Sequence, residues 1–277
     1  MPDLAGTAVA ARFRDVTVDF LCQDPGDAAH LRYYLSDHLE PQDASRQPEV
    51  SVRLETDGGG SFTAALGTAT TKRVWWRTPA APWRLYEEWG TRARLPSPVP
   101  PFGLSPLRDL VRTGHGAALA APDGSAHALA VTGSSGAGKS VVLVHLLRVG
   151  WRFVSDDLLV TDRRTHGRLY YYGRPVGVRE RSLPLLPWLD AALLADAPRV
   201  PTRWGDTWMV RPQRLGRCAP ADQPLQLAWR LHLVRGDRFT ARTEGRASRV
   251  TWDPQRHLHD VLDVCRRLTG EGDAHDA

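Results

Sequence analysis

One stretch constrains this chain more than any other: Gly133-Ser134-Ser135-Gly136-Ala137-Gly138-Lys139-Ser140, which matches G-x-x-x-x-G-K-[ST] in full. The spelling has a physical reason. Glycines let successive backbone N–H groups converge on a phosphate without Cβ clashes, at the N-terminus of a helix where the partial positive charge lies. Lys139 then reaches the β- and γ-phosphate oxygens, and the Ser140 hydroxyl is a ligand for Mg²⁺. The flanks agree. An apolar run, "ALAVT", reads as the strand before the loop, and "SVVLVHLLRVG" reads as the helix after it, beginning at Ser140 and Val141. A nucleoside triphosphate is the predicted ligand, held by residues 133–141.

Seventeen residues after Lys139 stand Asp156 and Asp157, at the end of the strand-like run "RFVS". A triphosphate site needs a second acidic group to hold the metal or to accept a proton. A strand returning so soon after the loop's helix is expected near the loop's own strand, by a right-handed crossover. The short spacing argues against motor-like NTPases, in which the second acid comes after further strands.

The rest of the chain sets bounds. Its 277 residues suffice for one large or two modest domains with a real core. The net charge is +5, and of the 36 basic residues only Lys72 and Lys139 are lysines. The arginines are scattered among acids, the pattern of a solvated surface and not of a nucleic-acid footprint. The three cysteines (Cys22, Cys218, Cys265) are odd in number and far apart, as expected of reduced thiols in a cytoplasm. No run is apolar enough for a membrane span, and the N-terminus has no apolar signal region.

Residues 1–95 read as a small α+β domain. "DVTVDFL" is a half-buried strand, "DAAHLRYYLSDHL" a helix capped by Asp27, and "EVSVRLET" and "SFTAALG" a hairpin across "DGGG". "KRVWWRT" adds a strand and "PWRLYEEW" a short helix. The proline-dense "LPSPVPPFGLSP" (95–106) marks the boundary. From 105 to 270 a second, α/β domain is expected. It starts with a short helix over "SPLRDLVRTG" and a hairpin through "PDGS". The strand "WRFVSDDLLVTD" follows the loop helix and pairs with "RLYYYGRPVGV". "LPLLPWLDAALLA" is helical but broken by prolines, and "QLAWRLHLVR" and "RFTART" are late strands. A final helix is capped by Asp253, with Leu258, Val261, Leu262, Cys265 and Leu268 on one face. The two histidines of "HLHD" (257–260) face different sides of that helix and make no metal pair.

From His115 through Asp157 the chain resembles the kinase domain of the HPr kinase/phosphorylase family and its smaller relatives, which share a core with phosphoenolpyruvate carboxykinases. The resembling features are the "HG" that opens a strand, the loop "TGSSGAGKS" and the run "RVGWRFVSDD". The resemblance is close over about 45 residues and loose over about 170. It implies a P-loop kinase fold and phosphoryl transfer, from ATP or GTP with Mg²⁺, to a hydroxyl. Carried onto this sequence, it makes Asp156 the base, puts Asp157 by the metal with Ser140, and sets His115 beside the acidic pair to tune it. Downstream the likeness fades. Glu180 follows Arg179, whereas the family's glutamate precedes its "R-G-x-G" signature, and the loop that grips the HPr protein has no counterpart.

The expected acceptor is therefore a Ser/Thr hydroxyl of a peptide, or a small biosynthetic metabolite, and self-association is worth testing. A nucleotide-gated regulatory NTPase is the alternative. If Lys139 and Asp156 form the centre, the acceptor approaches from outside the strand ends, where open α/β sheets bind ligands. Arg203, Trp204, Arg211 and Arg214 are the candidates to grip it there, because arginine forks suit acidic or phosphorylated groups.

Overall fold

The computed structural model describes residues 7–41, 45, 47–57, 71–82, 84–89, 102, 106–202 and 205–270. The fold is mixed α/β with several sheets. It divides into two compact units, Met1–Val111 with Val200–Trp204, and Arg112–Arg199 with Gly205–Ala277.

The first unit is built on a five-stranded sheet in sequence order, β1 (Thr7–Phe13), β2 (Val16–Cys22), β3 (Val50–Asp57), β4 (Thr71–Arg77) and β5 (Arg84–Trp89). β1 was not legible, because "TAVAARF" has no clean alternation. It closes a tight antiparallel hairpin with β2, Phe13 opposite Val16. β2 and β3 run parallel, joined by the helix Pro25–Tyr34 that buries Ala28, Leu31 and Tyr34. The cap of that helix is Asp24 and not Asp27. Asp24 is extended and accepts from Gly26 N at 2.7 Å, while Pro25 fixes the first turn and leaves Asp27 buried inside it. Within the expected helix at 82–89, residues Arg84–Trp89 are instead β5, antiparallel to β4. Pairing there satisfies backbone groups on the open edge of β4 that a short helix would leave to water. β3 pairs with β4, and the expected hairpin arm "SFTAALG" lies outside the described residues.

The second unit holds the loop. Its strands are β6 (Val111–Gly114), β7 (Gly116–Ala120), β8 (His127–Gly133), β9 (Arg152–Ser155), β10 (Leu159–Asp162), β11 (Arg168–Tyr170), β12 (Val176–Arg179), β13 (Arg199–Thr202), β14 (Gly205–Val210), β15 (Leu225–Arg235), β16 (Thr240–Glu244) and β17 (Ala247–Trp252). β13 belongs from Val200 onward with the first unit. The main sheet has the order β6-β10-β11-β15-β8-β7-β9, with β17 also paired to β15 and β16 at the edge of β17. β8 is parallel to β15 and antiparallel to β7. β7 is buried at every position and β8 at four in succession, which explains their continuous apolar spelling.

The loop helix, Lys139–Arg148, buries seven of its residues against β7, β8 and β9. The crossover from β8 returns as β9 on the far side of β7, so the loop's strand and the acid-bearing strand lie two places apart. "WRFVSDDLLVTD" is not one strand. Asp157 takes a left-handed φ of 65°, which splits it into β9 and β10 and turns the chain at the acidic pair. At the C-terminus the helix starts at Leu258, later than Asp253 suggested. Asp253 accepts from Gln255 N at 3.0 Å and makes a turn before the helix. Val261, Val264 and Cys265 are buried on its inner face. Among the described residues no helix is long and apolar enough to cross a membrane.

Candidate functional site

The loop leaves β8 with Gly133, Gly136 and Gly138 all at positive φ (142°, 84° and 92°). At Gly138 the requirement for glycine is twofold. Its conformation is left-handed, and a Cβ there would lie 2.4 Å from the Trp252 ring. Trp252 is fully buried at the end of β17, and its indole N–H donates to Ala137 O at 2.9 Å. The floor of the loop is thus a tryptophan 115 residues downstream, a contact that no local pattern announces.

Lys139 is buried and uses its ammonium on three acceptors: Gly133 O at 2.9 Å, Ser134 O at 3.0 Å and His115 Nε2 at 2.9 Å. An ammonium only donates, so Nε2 is the accepting nitrogen and the ring proton sits on Nδ1, facing Asp157. His115 Nδ1 lies 3.0 Å from Asp157 Oδ1 and 3.1 Å from its backbone oxygen. Burial lowers the pKa of Lys139, an effect reinforced by Arg179 and opposed by Asp157 and Asp156. The hydrogen bond to Asp157 raises that of His115, against burial and the Lys139 charge.

The two acids differ in surroundings. Asp156 is 3% exposed. Ser140 Oγ donates to its Oδ1 at 3.1 Å, and Gly177 N donates to its Oδ2 at 3.3 Å. Burial first, and the neighbouring Asp157 second, raise its pKa. Asp157 keeps a side chain 40% exposed, held between His115 and Arg174, whose Nη1 is 3.2 Å from Oδ2. Burial pushes its pKa up, but the His115 hydrogen bond and the charges of Arg174 and Lys139 outweigh that and leave it lowered.

The resemblance sets Ser140 with Asp157, whereas in the structure Ser140 meets Asp156. The more exposed acid of the pair is Asp157. The donors offered are a hydroxyl and a carboxylate, both hard oxygens. Among the described residues no cluster of three or more His, Cys, Asp or Glu adds to them. That set fits Mg²⁺, which takes one or two protein oxygens and completes its shell with phosphate and water. A cation beside Asp156 would also offset the burial of its charge.

Of the expected acceptor residues, Arg203 and Trp204 lie outside the described residues. Arg214 is not near Lys139. It belongs to the short helix Pro212–Leu215, and the adjoining Gly216 packs on Leu147, in the last turn of the loop helix. Leu147 is eight residues beyond Lys139, roughly 12 Å along the axis. Arg214 there donates to Ala192 O at 3.1 Å, pairs with Asp196 at 3.5 Å, and borders a cavity of about 620 Å³ with Arg148, Trp188 and Arg217. Arg211 stands at the N-cap position of the same short helix, with no side-chain cap hydrogen bond. Arg174 reaches Asp157, and the arginines that do reach the loop are Arg179 and Arg181, all on the segment after the acidic pair. Their signal in the sequence was the alternation of "GVRER", in which Gly177 and Arg179 share one face of β12.

No family model and no curated protein matches the chain. Among solved structures it is similar to the Hpr(Ser) kinase/phosphatase from Coxiella burnetii. The match is 17% identical, covers 58% of this chain and 99% of that one, and has a TM-score of 0.32. What the site can do follows from its own atoms.

Proposed function

We propose that the second unit is a P-loop kinase domain that transfers the γ-phosphoryl group of ATP or GTP, with Mg²⁺, to a hydroxyl of a peptide Ser/Thr or of a small metabolite. The observation that carries this reading is the Ser140 hydroxyl on the Asp156 carboxylate, at the foot of a complete phosphate loop and next to a second, more exposed acid. Loop N–H groups and Lys139 hold the triphosphate. Ser140 and Asp156 hold the cation, which when bound would draw charge from the phosphate oxygens. Asp157, fixed by Arg174 and His115, orients the acceptor hydroxyl. The bond from the γ-phosphorus to the bridging oxygen breaks as the acceptor oxygen bonds to phosphorus. The acceptor proton passes to Asp157 and on to water, and the nucleoside diphosphate leaves. A carboxylate of lowered pKa suffices, because the loose transition state asks the acid mainly to position the nucleophile.

The test is nucleotide turnover with Mg²⁺, measured with and without hydroxyl acceptors. Diphosphate release that rises with an acceptor, with phosphate recovered on it, supports the reading. Failure of the wild-type protein to bind any nucleoside triphosphate overturns it.

A further inference from the structure

The loop is faced by more positive charge than the sequence motif supplies. Arg179 closes β12 and Arg181 lies in the 3-10 turn Glu180–Leu185 that follows. On β12 the buried residues are Val176 and Val178, so Gly177 and Arg179 share the opposite face. Gly177 N reaches Asp156, and one step on Arg179 Nη2 donates to Ser135 Oγ at 3.3 Å. Arg181 Nη2 lies 3.3 Å from where a Cβ on Gly136 would stand. Arg179 is also near enough to lower the pKa of Lys139. β12 itself is anchored antiparallel to β14, Val178 opposite Trp208, and it packs on the loop helix. Both guanidinium groups thus come to the tip of the loop, on residues 135 and 136, while Lys139 rises from its base. Lys139, Arg174, Arg179 and Arg181 set four basic groups, three of them guanidiniums, against the two carboxylates Asp156 and Asp157.

We propose that Arg179 and Arg181 form a second phosphate clamp, which grips the β- and γ-phosphates from the tip of the loop and neutralises the leaving diphosphate. The inference rests on the phosphoryl-transfer reading of the same loop. As the γ-phosphorus parts from the bridging oxygen, negative charge builds on the β-phosphate. A guanidinium fork there acts as an arginine finger supplied by the chain itself. Gly136 serves this arrangement by leaving room for Arg181.

The experiment is calorimetric titration of ATP, ADP and AMP into the full chain with Mg²⁺, for the wild type, Arg181→Ala, Arg179→Gln and the double variant. Arg181 is exposed, so its loss leaves the fold intact, which circular dichroism and the melting temperature check. The double variant is expected to lose about tenfold or more in ATP affinity, less for ADP and nothing for AMP. Its single-turnover rate should fall by a further factor of about a hundred. A folded double variant that binds ATP within twofold of wild type overturns the clamp and leaves the kinase reading standing. A wild-type chain that binds no triphosphate overturns both.

Discussion

Lys139 spends its three donors on two loop carbonyls and a histidine ring, so a phosphate must displace one of them. Under the proposed function its removal takes away the base of the phosphate cradle. Lys139→Ala should lower turnover by about 10²–10³-fold, read in a steady-state assay of diphosphate release; activity within threefold of wild type would remove the phosphate-loop assignment. The two acids should separate cleanly. Asp156→Asn leaves one poorer oxygen donor beside Ser140, so the Mg²⁺ concentration for half-maximal activity should rise and triphosphate affinity should fall. Asp157→Asn should leave nucleotide affinity within about twofold and lower kcat by about a hundredfold. The reverse pattern would restore the order implied by the family resemblance, with Asp156 as the base.

At the scale of elements, the loop depends on β17. Trp252 lies under Gly138 and donates to Ala137 O. Gly138→Ala would force a Cβ into the ring at a left-handed φ, a strain of about 1–3 kcal/mol. A melting temperature lowered by several degrees and loss of triphosphate binding are expected together, and a variant as stable as wild type would show that the loop rests on something else. Trp252→Phe keeps most of the packing and strands the Ala137 carbonyl, which costs about 1–3 kcal/mol. The helix and strand types around the loop were legible because each is a long apolar run with one period. The order β8, β7, β9 was not. A short crossover says that β9 returns close by, while the antiparallel β7 inserts itself between through the "PDGS" hairpin, a choice that only sheet packing makes.

For the whole molecule, acid acts on the first unit through one histidine. His38 packs on Phe13 with ring centroids 5.0 Å apart, and burial lowers its pKa from 6.5 to about 4. A depressed histidine is protonated more readily in the unfolded chain. Its contribution is therefore present above pH 6.5 and is lost as the pH falls towards 4. The ring keeps partial solvent exposure, so the loss is smaller than the full shift would give. Hydrogen exchange should show the amides of Val18 and Phe20 losing protection between those pH values, and His38→Gln should flatten that dependence; an unchanged profile in the variant would place the sensitivity elsewhere. The sequence by itself determined the glycine-rich loop, its strand and helix, and the presence of a nearby acidic pair, because those follow from spacing within about twenty-five residues. Tertiary structure alone decided which acid meets Ser140, since a left-handed turn at Asp157 sends the two carboxylates into different surroundings. It also decided that Arg214 sits at the far end of the loop helix while Arg179 and Arg181 reach the loop. Arg179 and Arg181 carry only a short alternation in the sequence, and their neighbours are set by which strand packs beside them.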